Sequence, residues 1–221
     1  MTTLASFKES FVQFSEELNQ IAEIEGKKAA TNWEYTLQTG ELTKLINDTF
    51  FEIGIAHYHI LNRDRGRNTT IQPSLYEIFL GKLIKHLLEE KMKNDAIEVV
   101  LDNNVRLNAR TMYPDVLIQK DKKPIGIIEL KHILKKNPYE QTERKRRDEF
   151  LAQFFSLKTY SIILYAIYDK SALASIVEDK ADWIYIIRYE QRAKKYRDKV
   201  TIPFLHRTNP VELALNEIIR G

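Results

Sequence analysis

The sequence predicts an α/β fold in which a central mixed β-sheet is flanked by helices, with a helical subregion in front of it. Three observations predict it. Apolar residues recur at helical spacing before Asn62 and again after Pro73. Between Ala96 and Lys131 the pattern changes to short alternating or apolar runs separated by polar turns. A long charged stretch, Tyr139 to Leu157, then leads into Thr159 to Tyr168, which is almost continuously apolar, as a strand covered on both faces would be. Helices alternating with strands in this order are expected to pack on the faces of one sheet.

The elements follow in order. Phe7, Phe11, Phe14, Leu18 and Ile21 line one face of a helix starting near Leu4, with Ser6 and Glu9 as a capping box and Gly26 as the expected stop. That stripe is expected to face the core, with a dimer seam or a clamp on a partner as the other reading. A second helix runs from Glu41 through Leu42, Leu45, Ile46, Phe50 and Ile53. Residues 1–62 thus form a helical subregion suited to dimerisation or to gripping a partner, and residues 63–221 hold the core with a C-terminal strand and helix. Asn62 to Thr70 reads as a polar loop whose Arg63, Arg65 and Arg67 could contact an anion. Pro73 is expected to open a helix carrying Leu75, Ile78, Phe79, Leu83, Leu87 and Met92, because proline suits a first turn. Strands are expected at Ala96–Leu101, at Val105–Thr111 and at Pro114–Lys120. A further strand, Ile125–Lys131, is joined to the last of these by Asp121-Lys122-Lys123-Pro124 as a hairpin. Trp183–Tyr189 repeats the buried-strand pattern, and Pro210–Arg220 closes the chain as a helix.

Composition excludes several chemistries. The 221 residues contain no cysteine, which removes disulfide scaffolds, thiolate zinc sites, iron–sulfur clusters and cysteine nucleophiles. With 43% hydrophobic and 29% charged residues the chain is neither disordered nor membrane-like in composition. No apolar run approaches the roughly 18 residues of a membrane span. Met1 to Glu9 lacks a basic segment followed by an apolar one, so a cytoplasmic protein with no membrane partner is expected. Seven glycines form no phosphate loop, and no serine has a nucleophile-elbow context, so no nucleotide cofactor is expected. His57 and His59 would share a strand face, yet no further His or Cys stands nearby to complete a metal site.

The informative stretch is Tyr113 to Lys131. In a hairpin centred on Lys122, residues whose numbers sum to 244 lie opposite each other, so Asp115 faces Glu129. Glu129 and Lys131, two apart, project to the same strand face. Ile125, Ile127 and Ile128 are apolar on both faces, so the strand reads as central and Glu129 as lying at the edge of a core. Two adjacent carboxylates repel each other unless a cation stands between them. Two carboxylates, a backbone carbonyl and waters make the octahedral oxygen site typical of Mg²⁺.

Pro114-Asp115 followed after thirteen residues by Glu129-Leu130-Lys131 resembles the signature of the PD-(D/E)xK nuclease superfamily, to which many type II restriction endonucleases belong. The resemblance spans about Pro73 to Tyr168 and implies a restriction-endonuclease-like αβββαβ core. It further implies that Asp115 and Glu129 bind Mg²⁺, with Mn²⁺ able to substitute and the Leu130 carbonyl as a further ligand, and that Lys131 positions or polarises the attacking water. Glu77 matches the acidic residue the family often carries on the preceding helix, and Gln153 resembles an active-site glutamine of some branches. The implied activity is hydrolysis of double-stranded DNA at specific sites by a homodimer, leaving 5′-phosphate and 3′-hydroxyl ends. A structure-selective nuclease of junction-resolvase type and a non-cleaving nuclease-fold DNA-binding module are the alternatives.

The formal net charge of only +3 is an average over opposed parts. Lys135, Lys136, Arg144, Lys145, Arg146 and Arg147 follow the motif, and Arg188, Arg192, Lys194, Lys195, Arg197 and Lys199 form a second basic cluster. Beside a phosphodiesterase site such residues are expected to hold DNA phosphates. Arg63, Arg65, Arg67, Lys135, Lys136, Arg144, Arg146 and Arg147 are the candidate DNA contacts.

Overall fold

The helical spacing of the first third of the chain becomes three helices in the computed structural model, which describes residues 4–61, 71–101, 105–107, 110–112, 114–131, 158–163, 184–186, 190–191, 200–201 and 209–220. Helix α1 (Leu4–Thr31) runs straight through Gly26 instead of stopping there. A Cβ at Gly26 would lie 2.8 Å from the Leu83 carbonyl oxygen, so this glycine lets α1 touch the backbone of a second helix. That close approach offsets the roughly 1 kcal/mol a mid-helix glycine costs. A seven-residue helix, α2 (Trp33–Thr39), follows, which apolar spacing did not predict. Gly40, at φ 68°, ends it in the left-handed conformation and donates its N–H to the Thr36 carbonyl. Helix α3 (Glu41–Leu61) contains His57 and His59. Two positions apart on a helix is about 200° of rotation, so the shared strand face expected for them does not exist.

Helix α4 (Ile71–Lys91) begins two residues before Pro73, whose missing N–H falls in the first turn, where no intrahelical partner exists. Leu75, Tyr76, Phe79, Leu80, Leu83, Ile84, Leu87 and Leu88 are all buried. A helix apolar around so much of its circumference must be covered on more than one side. Helices α1 and α3 pack on one side of it and the sheet on the other. A 3₁₀ turn (Lys93–Asp95) and Ala96 in the left-handed region then deliver the chain into the sheet.

The main sheet has strands β1 (Ile97–Leu101), β4 (Val116–Lys120), β5 (Lys123–Lys131), β6 (Lys158–Ile163) and β7 (Ile184–Ile186), in that spatial order. The first three are antiparallel, and β5, β6 and β7 are parallel, so the sheet is mixed. Parallel pairing of β5 with β6 requires a crossover of a dozen or more residues, and residues 132–157 supply that length. The segment expected as one strand from Val105 to Thr111 is instead a small hairpin, β2 (Val105–Leu107) with β3 (Arg110–Met112). Strands β8 (Glu190–Gln191) and β9 (Val200–Thr201) form another two-stranded ladder. The helix expected at Tyr139–Leu157, with Gln153 on it, lies outside the described residues.

The C-terminal helix α5 (Pro210–Arg220) touches α2, α3, α4, β6 and β7. Glu212 on it is fully buried and accepts hydrogen bonds from the Thr43 backbone N–H (2.8 Å) and the Thr43 hydroxyl (2.5 Å). Thr43 is the third residue of α3, and Gly40 before that helix has no side chain to cap it, so Glu212 serves as the cap. The Thr43 hydroxyl accepts in turn from the Val211 N–H in the first turn of α5. Asn209 Nδ2 donates to the Leu37 carbonyl at the end of α2, and Trp33 Nε1 donates to Asn216 Oδ1. Apolar residues from Leu18 to Ile218 form one continuous core that joins the five helices to β1, β4 and β5.

Candidate active site

A two-residue turn, Asp121-Lys122, joins β4 to β5, with both residues at positive φ (50° and 62°), the backbone of a type I′ turn. Closest to it, Lys120 pairs with Lys123 and Gln119 with Pro124, one residue away from the expected register. A bulge next to Ile118 then absorbs one extra residue, and from Ile118↔Gly126 to Val116↔Ile128 the pairs sum to 244 as expected. The bulge therefore decides the site. Without it Asp115 would stand opposite Ile128; with it, the register continued by one residue sets Asp115 opposite Glu129. Strand β5 begins at Lys123, so Lys123 and Pro124, expected in the connection, belong to the strand, with Pro124 at the bulge, where proline is tolerated.

Asp115 is half-buried, and its Oδ2 accepts a 2.6 Å hydrogen bond from the Leu130 N–H. The continued register pairs Leu130 with Pro114, which has no N–H to complete a strand ladder. The aspartate thus takes over at the point where proline ends the pairing, and its carboxylate is oriented by the backbone of the strand that carries Glu129. Since the Leu130 N–H is directed towards β4, Asp115 and Glu129 occupy a non-hydrogen-bonded pair, the type in which facing residues are closest. On the other side of β5, Glu129 is in register with Ser161 and Lys131 with Ile163 of β6.

Helix α4 approaches the same end of the sheet. Lys85 Nζ bonds the Val99 carbonyl, and a Cβ on Gly81 would lie 3.4 Å from Leu101 Cδ2 and 3.9 Å from Leu130 Cδ1. Glu77 lies one more turn back along α4, about 6 Å from Gly81 along the helix axis. Glu77 is half-buried and comes from the α4 side. Asp115 alternates with Leu117, which is buried but outside the core shared with α4. Glu77 thus sits on the helix that packs against this end of the sheet. Among the described residues no three His, Cys, Asp or Glu side chains converge to hold a metal ion. Arg63, Arg65, Arg67, Lys135, Lys136, Arg144, Arg146, Arg147 and Gln153 all lie outside the described residues.

The donor set suits a hard divalent cation in kind: one carboxylate fixed by a backbone N–H, a second carboxylate position opposite it, and the Leu130 carbonyl facing a proline that cannot donate to it. The sequence reading missed a polar cleft beside the sheet. It is bounded by Asn19 and Glu23 of α1, Lys82 and His86 of α4, and Glu98 and Leu101 of β1. No local sequence pattern marks it, because it exists only where α1, α4 and β1 meet. Burial in this cleft holds the His86 imidazole below its ordinary pKa, although Glu23 nearby pulls the other way. Among the described residues no helix is long and apolar enough to cross a membrane. Comparison of the chain with models of known families, with characterised proteins and with solved structures finds no match.

Proposed function

We propose that the chain is a Mg²⁺-dependent endonuclease of the PD-(D/E)xK kind, hydrolysing phosphodiester bonds of double-stranded DNA, as a homodimer that cuts both strands. One observation carries the reading: Pro114-Asp115 immediately precedes one strand and Glu129-Leu130-Lys131 ends its antiparallel neighbour, in a register that, continued by one residue, sets Asp115 opposite Glu129. The neighbouring parallel strand and the helix before the sheet agree with the αβββαβ order that the motif implies. Two carboxylates at such a pair are electrostatically costly, and a divalent cation held by Asp115, Glu129 and the Leu130 carbonyl would remove that cost.

Each residue then has a task. The Leu130 N–H fixes the Asp115 carboxylate, so one ligand needs no reorganisation when charge develops. Glu129 supplies the second carboxylate, and Lys131, two residues further, supplies a fixed positive charge for a water or hydroxide approaching an anionic phosphodiester. When bound, Mg²⁺ lowers the pKa of a water and screens the phosphate.

The test is incubation of the protein with plasmid and with branched DNA, in Mg²⁺ and then in EDTA, followed by sequencing of the ends. The reading expects cutting that EDTA abolishes, with 5′-phosphate ends at a recurring sequence. No cutting of either substrate would refute the enzymatic reading, and cutting confined to branched DNA would replace restriction with junction processing.

A further inference from the structure

Glu129 has a neighbour on each side of β5. On one side, with the β4 register continued by one residue, stands Asp115; on the other the parallel register sets Ser161 of β6 beside it. Residues side by side in a parallel pair share a face of the sheet, as facing residues do in an antiparallel one. Asp115, Glu129 and Ser161 therefore form one row across the sheet, at strand spacings of about 4.8 Å. The Leu130 N–H is directed towards Asp115, so the N–H and carbonyl of Glu129 are directed the other way, and β6 holds the Glu129 main chain.

The neighbouring rows single out Ser161. The row nearer the β4–β5 turn is Leu117, Ile127 and Thr159, in which Leu117 and Ile127 are buried. The row on the other side holds Lys131, Ile163 and Ile186, and Ile184 of β7 follows Ser161 in its own row. At the level of the carboxylate pair β6 thus supplies a hydroxyl, with apolar positions at Ile163 and Ile184 beyond it. A hydroxyl can donate, and an ionised carboxylate only accepts. A carboxylate that holds a metal ion is itself oriented by hydrogen bonds, and the loss of such a partner costs about 10–100-fold in metal affinity. Asp115 has its partner in the Leu130 N–H. Glu129, one methylene longer, has more rotamer freedom to give up.

We propose that Ser161 is a positioning residue for Glu129: its hydroxyl donates to the Glu129 carboxylate and sets that ligand for a divalent cation, as the Leu130 N–H sets Asp115. The proposal rests on the nuclease reading above. It carries the site from the β4–β5 hairpin onto the parallel strand beside it, outside the motif residues.

Titration of the DNA-free protein with manganese chloride, with free Mn²⁺ read by electron paramagnetic resonance, tests it without turnover. Ser161→Ala is expected to bind Mn²⁺ about 10-fold more weakly than wild type. Ser161→Thr, which keeps the hydroxyl, is expected to bind as wild type does, and so is Thr159→Ala, which removes a hydroxyl one row away on the same face. Plasmid cutting by Ser161→Ala is expected to recover when Mg²⁺ is raised about 10-fold, because the defect is one of metal affinity. Wild-type Mn²⁺ affinity in Ser161→Ala, where wild type binds Mn²⁺ and cuts DNA, overturns the role of Ser161 and leaves the nuclease reading standing. An equal loss in Thr159→Ala or Ser161→Thr traces the effect to the packing of β6 and likewise overturns it. So does a Ser161→Ala protein that does not fold, or whose cutting no concentration of Mg²⁺ restores. A wild-type protein that neither binds Mn²⁺ nor cuts DNA overturns both.

Discussion

Replacing Thr43 with Val removes one hydroxyl that serves two buried groups. It donates to Glu212 Oε2 and accepts from the Val211 N–H, 3.3 Å away, and so ties the start of α3 to the start of α5. Valine keeps the shape and leaves both groups without that partner. Each buried polar group so orphaned costs about 1–3 kcal/mol, giving roughly 2–6 kcal/mol in total. For a chain of this size, in which each kcal/mol shifts the melting temperature by about 2–4 °C, the expected loss is about 4–24 °C. A second arm uses Glu212→Gln, which retains an acceptor for the Thr43 N–H. Burial pushes the Glu212 carboxyl above its ordinary pKa of 4.5, more than the Thr43 hydrogen bonds pull it down. The folded state therefore favours the neutral acid. That contribution is fully present below the ordinary glutamate value and is lost as pH rises through the raised one. Wild type should lose stability over that rise, and Glu212→Gln should lose less. Thermal unfolding followed by circular dichroism at a series of pH values reads both effects. Trp33 fluorescence reports the α5 contact locally, since its indole N–H bonds Asn216. A Thr43→Val melt within about 1 °C of wild type, or parallel pH profiles for wild type and Glu212→Gln, would refute the reasoning.

Gly26→Ala should destabilise the protein by about 1–3 kcal/mol in chemical denaturation, because the new methyl meets the Leu83 carbonyl at 2.8 Å and overpacking outweighs the gain in helix propensity. Strand β1 is an edge of the sheet, and the Lys85–Glu89 pair bonds both backbone groups of Val99. Glu89→Ala should expose the Val99 N–H, lower stability by about 1–2 kcal/mol and raise self-association measured by sedimentation. His86 is held below its ordinary pKa of 6.5 chiefly by burial, so its contribution is present above that value and lost as pH falls through it and on through the depressed one. His86→Gln should flatten a melting profile measured between about pH 5 and pH 7.

The hairpin that carries Asp115 and Glu129 was legible because two-residue periodicity and a short polar turn restrict the register to within one residue. The last residue of that register came from the bulge at Ile118/Gln119, for which the sequence offers only Pro124 as a hint. Gly26 misled for the opposite reason: a glycine reads as a helix stop locally, and only the approach of α4 shows why α1 continues through it. Trp33–Thr39 is two turns long, too short for periodicity to register, and is held by the distant Asn209 and Asn216. His57 and His59, two apart, read as one strand face because alternation over a few residues resembles one face of a helix seen briefly. The cleft of Lys82 and Asn19 was invisible for a different reason, since it exists only where α1, α4 and β1 meet.

The central claim is that Asp115 acts through its charge. Asp115→Asn separates charge from structure, because the asparagine oxygen still accepts from the Leu130 N–H. The direct measurement is the rate at which supercoiled plasmid is converted to linear DNA in Mg²⁺ by wild type and by Asp115→Asn. The expectation is a loss of about 10³-fold or more with an unchanged melting temperature. Equal rates for the two proteins, or no conversion by wild type, would contradict it.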